Sequence, residues 1–371
     1  MKRRNLLLGL AAGGAAMAGC KPTATATTEC AAGGEKAKPI EWRMYTTWPK
    51  NFPGLGTGAN RLAERITQMS GGRLKVSVYG AGERVPALEV FDAVSRGSAQ
   101  MGHGGAYYWK GKAPAAPFFC SVPFGFTAQE MNAWLYYGGG MALWRELYAK
   151  FNLVPFDAGN TGVQMGGWFR KRIDSLADLK GLKMRMPGLG GEVLDRLGVT
   201  TVNIPGGELF TALSNGTIDA TEWVGPYNDL AFGLYKAAPY YYYPGWHEPG
   251  TTLEAIVNKQ AFDALPADLQ TIIESASSAV SLKMLAEFTA RNQQALKTLV
   301  DEHGVTLLPF PDDVLAALRE TSVLFAVVIG VVVLGEPLGW RRLAAAAVIV
   351  AVCIVSFIAI MIRIRQLRHQ S

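Results

Sequence analysis

Hydrophobic and polar positions change their period along the chain, and each change marks an element. From Leu74 to Tyr79 apolar and polar residues alternate, with Leu74, Val76 and Val78 on one side, the period of a half-buried strand. Residues 40–48 predict a second strand. Over 58–69 the apolar Leu62, Ile66 and Met69 recur at helical spacing, and 86–95 predicts a helix opened by Pro86. Residues 131–151 read as a helix broken at Gly138-Gly139-Gly140. Short strands are expected over 163–169, 183–186 and 218–223, and a helix over 209–213 that Asn215-Gly216 closes. A long amphipathic stretch at 267–299 and a short strand at 305–308 complete the series. Strands and helices in alternation predict an α/β fold.

Two segments share a local grammar. Leu179-Lys180-Gly181 leads into a short strand that ends on Arg185, and Asn215-Gly216-Thr217 leads into one that ends on Glu222. In open α/β sheets the strand ends and the loops after them line the ligand crevice, so Arg185 and Glu222 are candidates for one cleft. An arginine there offers a planar fork that can grip a carboxylate with two hydrogen bonds, which lysine cannot match. The plainer reading of Arg185 is a surface ion pair.

Charge changes the picture at the ends. The chain of 371 residues carries 36 Lys/Arg and 30 Asp/Glu, a formal +6. Residues 1–40 hold six basic and two acidic side chains, 321–371 hold five and one, and 41–320 are left with 25 and 27. The globular part is therefore nearly neutral, which argues against a nucleic-acid groove. Lys2-Arg3-Arg4, the apolar run 6–18 and Gly19-Cys20 have the layout of an export signal over 1–19 with twin-arginine character. Met17-Ala18-Gly19-Cys20 also resembles a lipobox, making Cys20 a candidate lipidation site, and 20–40 reads as a flexible tether. At the other end 322–334 is apolar, and 343–362 has 20 residues without a charge before Arg363, Arg365 and Arg368. That length can span a bilayer, so 321–371 is expected to be a hydrophobic membrane segment with one or two transmembrane helices.

Other chemistry is sparse. Cys20, Cys30, Cys120 and Cys353 have no metal-binding spacing, and Cys120, beside Phe118-Phe119, reads as a buried thiol more readily than as a disulfide partner of Cys30. Gly54-Leu55-Gly56-Thr57-Gly58 lacks both the dinucleotide spacing and the phosphate-loop lysine. The four histidines form no HExxH, and no nucleophile elbow is present, so nothing supports catalysis.

Longer strings carry a family resemblance: Asn160-Thr161-Gly162-Val163-Gln164-Met165-Gly166-Gly167-Trp168-Phe169, Gly181-Leu182-Lys183-Met184-Arg185, Gly216 through Tyr227, and Ala238 through Trp246. Across about 36–320 the chain resembles the solute-binding proteins of tripartite ATP-independent periplasmic (TRAP) transporters, in the group that binds 2-oxo acids with a metal ion. The resemblance implies a type II periplasmic-binding-protein fold, two lobes over 41–320 around a central cleft. It implies a receptor in the periplasm that delivers a 2-oxo or 2-hydroxy monocarboxylate to the transporter's membrane subunits. Arg185 would clamp the carboxylate, with Asn160 and Trp223 as further substrate contacts, although a turn residue is a strong competing reading of Asn160; among the aromatics, which as cleft walls pack on a ligand's tail, Tyr108 is the candidate contact. Gln164, Glu222, the Trp223 carbonyl and Glu248 would bind a cation, Na⁺ rather than Ca²⁺. Glu248 follows through Trp246-His247-Glu248, where His247 and Pro249 depart from the family's pattern. Most of the aromatic clusters read as core.

From Thr321 onward the chain resembles instead the last two helices of a drug/metabolite transporter. The family's C-terminal arm, which dimerises some members, is replaced, which argues against a homodimer. Anchoring by this segment or by lipid is expected. The alternative is an integral-membrane transport component, or a non-functional chimera arising from recombination or a joining artefact.

Overall fold

The structure, a computed structural model, describes residues 38–332, with side chains described to 322. Strands in chain order are β1 (Ile40–Thr46), β2 (Leu74–Tyr79), β3 (Met101–Gly104), β4 (Leu153–Asn160), β5 (Gly167–Phe169), β6 (Lys183–Arg185), β7 (Thr200–Val202), β8 (Ala220–Thr221), β9 (Tyr240–Tyr243), β10 (Thr252–Asn258) and β11 (Thr306–Pro309). They form two sheets, ordered β2-β1-β3-β10-β4 and β11-β9-β5-β8-β6-β7. In the first, β1 runs parallel to β2 and β3, and β10 enters antiparallel between β3 and β4. In the second, β6 runs parallel to β7 and β8, while β5 opposes β8 and β9. The chain crosses from the first sheet to the second after β4, returns after β9, and crosses again after β10. This is the two-lobed α/β arrangement that the resemblance implies.

One helix, Ala267–Asp301, serves both lobes. Its Leu269, Ile273, Ala276 and Val280 pack with Trp42, Met44 and Phe156 of the first sheet. Further along, Met284, Phe288 and Leu299 pack with Trp168 and Tyr241 of the second and with Leu213 of the helix Leu209–Ser214. The glycine run 54–58 lets the chain lie close to this helix. A Cβ on Gly54 would stand 2.7 Å from the Phe288 ring, and one on Gly58 would stand 2.2 Å from Met284 Cε. Gly54 and Gly58 thus have a packing role.

The periodic segments form where the pattern predicts. Leu62 and Ile66 are buried in the helix Leu55–Met69, although Met69, its last residue, is exposed. The glycine break separates the helices Ala128–Tyr137 and Gly140–Ala149, with Gly139 left-handed at φ 86°. Cys120 is buried as a free thiol, its Sγ 3.1 Å from the Thr252 carbonyl. Two expectations shrink: of 163–169 only Gly167–Phe169 is strand, and of 218–223 only Ala220–Thr221. In both cases the chain leaves the sheet to build the site described below.

The export signal, Cys20, nearly all of the tether and the apolar run 343–362 lie outside the described residues. Among the described residues no helix is long and apolar enough to cross a membrane. The last described helix, Asp312–Val332, runs through residue 320 without a break.

Candidate functional site

Two of the interlobe crossings are zipped together. Thr161 N–H donates to the Thr251 carbonyl at 3.0 Å, Gln164 N–H to the Glu248 carbonyl at 3.1 Å, and Gly166 N–H to the Tyr242 carbonyl at 2.8 Å. The approach requires glycine at 245, since a Cβ there would lie 2.1 Å from the Gln164 carbonyl oxygen. This seam sits beside the ends of β6 and β8. It brings Gln164, Arg185, Glu222, Trp223, His247 and Glu248 into one cluster, and none of them is more than 3% exposed.

Arg185 organises the cluster. Its Nε donates to the Ile204 carbonyl at 3.2 Å and its Nη1 to the Glu222 carbonyl at 3.1 Å, and Nη1 also pairs with Glu222 Oε1. Nη2 donates to the Tyr108 hydroxyl at 3.3 Å. The Trp223 ring lies 5.2 Å from the guanidinium carbon, a cation–π contact in a dry setting. Burial alone would lower the guanidinium pKa, but Glu222 together with the Tyr108 and Tyr107 hydroxyls more than offsets it, so the group is held above its ordinary value. The fork expected to be free is thus partly engaged by protein acceptors, because a buried guanidinium must satisfy its own donors.

Acceptors on the other side are left bare. Glu248 Oε2 accepts from the Thr251 hydroxyl at 2.6 Å, so that hydroxyl can only accept from Gln164 Nε2, 3.3 Å away. Thr161 Oγ1 takes a second bond from the same nitrogen at 3.1 Å. With its nitrogen fixed by two hydroxyls, Gln164 turns Oε1 away from them, and Oε1 has no partner. Glu222 Oε2 has none either. Burial first, and then the neighbouring Glu222 charge, push the Glu248 carboxyl up to about 7. A buried acceptor without a donor costs free energy on the order of 1–3 kcal/mol. Two such oxygens, with two carboxylates facing one guanidinium, fit a cation. The donor set of amide and carboxylate oxygens is that of a hard ion.

Of the residues singled out from sequence, Arg185, Glu222, Gln164, Glu248 and Trp223 are brought together. Tyr108, on a 3₁₀ turn after β3, reaches the cluster through Arg185 and packs against Trp48, ring centres 6.1 Å apart. Asn160 is placed differently. Its Oδ1 accepts from Gly162 N–H at 2.8 Å and its Nδ2 faces Thr252 Oγ1 at 3.3 Å. It shapes the turn into the crossing, the plainer of its two readings, and among the described residues none of its hydrogen bonds reaches Arg185. Sequence reasoning missed Thr251 and His247. The departure from the family's pattern at His247 was the available signal; Thr251 left none.

Comparison with known proteins gives the chain its family. Residues 45–323 match the family described as bacterial extracellular solute-binding protein, family 7 (DctP). A monocarboxylate 2-oxoacid-binding periplasmic protein of Nostoc sp. is 48% identical over 322 residues, 87% of either chain. A TRAP periplasmic solute-binding protein of Pseudoalteromonas atlantica, solved with bound sodium and pyruvate, is 47% identical with a TM-score of 0.77, over 79% of this chain and 89% of that one. One from Colwellia psychrerythraea, solved with calcium and pyruvate, is 46% identical with a TM-score of 0.75, over 78% and 88%. The resemblance of 321–371 to a drug/metabolite transporter falls almost wholly beyond the matched residues and finds no support in these comparisons. The chain belongs to family 7 of the bacterial extracellular solute-binding proteins, the DctP family.

Proposed function

We propose that the chain is the extracytoplasmic receptor of a TRAP transporter, capturing a 2-oxo or 2-hydroxy monocarboxylate and handing it to the membrane subunits. The observation that carries this reading is the pair of bare, buried acceptors, Gln164 Oε1 and Glu222 Oε2, in the cluster organised by Arg185. Arg185, with Tyr108 behind it and Trp223 as an apolar wall, receives the ligand carboxylate. Gln164, Glu222, the Trp223 carbonyl and Glu248 hold a cation, which supplies positive charge to the ligand's carboxylate and 2-oxo oxygen. Asn160 holds the crossing and, through it, Gln164. The pyruvate and the sodium or calcium found in the relatives fit this chemistry.

Charge balance sorts the ions. With Glu222, Glu248 and a monocarboxylate all ionised, three negative charges face Arg185, and a divalent ion balances them. With Glu248 protonated, as a pKa of about 7 allows, Na⁺ suffices. Na⁺ is the ion of this reading when Glu248 carries its proton, and Ca²⁺ when it does not. The receptor occupies 41–320. Export by residues 1–19, and retention at the membrane through Cys20 or 343–362, complete the reading on the sequence alone.

Calorimetry of pyruvate binding in cation-depleted buffer, with Na⁺ or Ca²⁺ then restored, tests it. Affinity is expected to fall by about tenfold or more without the ion, since leaving a buried charge unpaired costs more than the ~1.4 kcal/mol that tenfold represents. Unchanged affinity removes the bridging cation from the reading.

A further inference from the structure

His247 stands where an all-oxygen cation site has no use for it. It lies on the second crossing between Trp246 and Glu248, and it is 2% exposed. Neither ring nitrogen has a hydrogen-bond partner. Buried histidines ordinarily find one, as His103 does with Trp48 Nε1 at 2.8 Å. The imidazole of His247 instead faces two carboxylates, with Nε2 3.5 Å from Glu222 Oε2 and 4.0 Å from Glu248 Oε1. Those gaps are too long for the charge-assisted hydrogen bonds of an imidazolium, which run about 2.7–2.9 Å. They are close to the spacing of two donor atoms on one small metal ion. Nitrogen and oxygen ligands at about 2.1 Å in a tetrahedral array stand roughly 3.4 Å apart. One ligand atom from each of Glu222, His247 and Glu248 lies within 4.8 Å of the other two, and all three residues are buried.

We infer that His247 Nε2 is a further protein ligand beside Glu222 and Glu248, so that this site also accepts borderline divalent ions such as Co²⁺ and Zn²⁺. The inference rests on the cation-bridged reading above and deepens it. Imidazole nitrogen adds little to the binding of Na⁺ or Ca²⁺, which prefer oxygen, but it adds much for first-row transition ions. The bound carboxylate and its 2-oxo oxygen complete the coordination. The same cleft would then hold its ligand over a hard ion or a borderline one, according to which the surroundings supply.

The test is calorimetry on the cation-stripped full chain, with pyruvate titrated in the presence of Ca²⁺ or Co²⁺, for the wild type and for His247→Gln. Co²⁺ is expected to support pyruvate binding at least as well as Ca²⁺ does in the wild type. In His247→Gln the Co²⁺-supported affinity should drop about tenfold or more, while the Ca²⁺-supported affinity stays within about threefold. Equal losses with both ions would make His247 a packing residue and overturn the inference, as would a variant that keeps its Co²⁺ response. A second readout avoids the substitution. One equivalent of Cu²⁺ added to the wild type should give a spin-echo modulation from an imidazole nitrogen that changes when pyruvate is added, and its absence overturns the inference. Pyruvate binding that needs no cation at all would instead remove the reading on which the inference rests.

Discussion

Glu222 and Asp229 both follow β8 and are both fully buried, yet their oxygens have opposite fates. Asp229 Oδ2 accepts from the Tyr241 hydroxyl at 2.7 Å and from Trp168 Nε1 at 2.9 Å, and Oδ1 accepts from Val224 N–H at 3.3 Å. Glu222 gives one oxygen to Arg185 and keeps the other bare. Burial pushes the Asp229 carboxyl up to about 7, so the interior favours its neutral form and needs no counter-ion. Asp229 is a structural acid, fixing the second lobe's core to the loop after β8. Glu222 lacks the donors that would complete it, and unlike Glu254, whose Oε2 is also bare, it stands beside a guanidinium, an imidazole and a second carboxylate, the company of a ligand site. The contrast separates site from scaffold where burial alone does not.

The largest expected effect falls on the counter-charge. Arg185→Met removes the partner of Glu222 and the candidate carboxylate clamp together. Breaking a buried pair costs about 3–5 kcal/mol, so pyruvate affinity should fall by roughly two to four orders of magnitude by calorimetry. A loss below about tenfold would place the ligand's carboxylate elsewhere.

Replacing each acid by its amide tests the comparison directly. Glu222→Gln keeps the shape but withdraws one charge from the cation, and pyruvate affinity should fall about tenfold to a hundredfold, with a weaker response to added Na⁺ or Ca²⁺. Asp229→Asn should leave affinity within about twofold. If the two variants lose affinity alike, the distinction drawn from the bare oxygen fails.

How much of this was open to sequence reading follows the same division. β2 announces itself because one face is dry and the other wet. β10 sits inside the first sheet and β4 at its edge, yet both are buried almost throughout, so no alternation marks them, and Asp157 and Glu254 inside them argue against strand. Arg185 and Glu222 were legible because both stand at strand ends, a position with a chemical meaning in this class of fold. Gln164 and Glu248 needed the family's pattern, since only the zipped crossings bring them together. Thr251 was invisible, its role being to orient two neighbours' side chains. Asn160 carries a local signal, the turn, and the structure shows that turn's hydrogen bond. His247 was visible only as a mismatch, and the geometry gives that mismatch its chemistry.

A smaller effect follows from the buried acid of the scaffold as pH changes. Asp229 has an ordinary value of 3.8 and a folded one of about 7. Between those values the folded chain holds a proton that the unfolded chain has lost, so stability falls as pH rises through the window and levels off above it. Glu254, pushed up to about 7, and Asp157, pushed up to about 6, act with the same sign, both through burial. His103, lowered by burial from 6.5 to about 4, acts with the opposite sign. The acids outnumber it, so melting temperature should decline from about pH 5 to about pH 7.5, with a slope near 1.4 kcal/mol per pH unit for each net proton. Asp229→Asn should flatten that decline. A decline as steep as the wild type's would mean that Asp229 is ionised in the fold.

The smallest expected effect concerns the hydroxyl behind the clamp. Burial pushes the Tyr108 phenol up to about 12, with Arg185 acting against the rise, so the group stays neutral wherever the receptor works. A neutral phenol can accept from Arg185 Nη2, 3.3 Å away, and still has its own proton to donate to an anion beside the guanidinium. Tyr108→Phe keeps the ring against Trp48 and removes only the oxygen. One hydrogen bond near a charged group contributes about 1 kcal/mol, so pyruvate affinity should fall about fivefold and the melting temperature should barely move. A loss as large as that of Glu222→Gln would make Tyr108 a primary contact of the carboxylate, on a par with Arg185. An unchanged affinity would confine Tyr108 to packing its ring against Trp48.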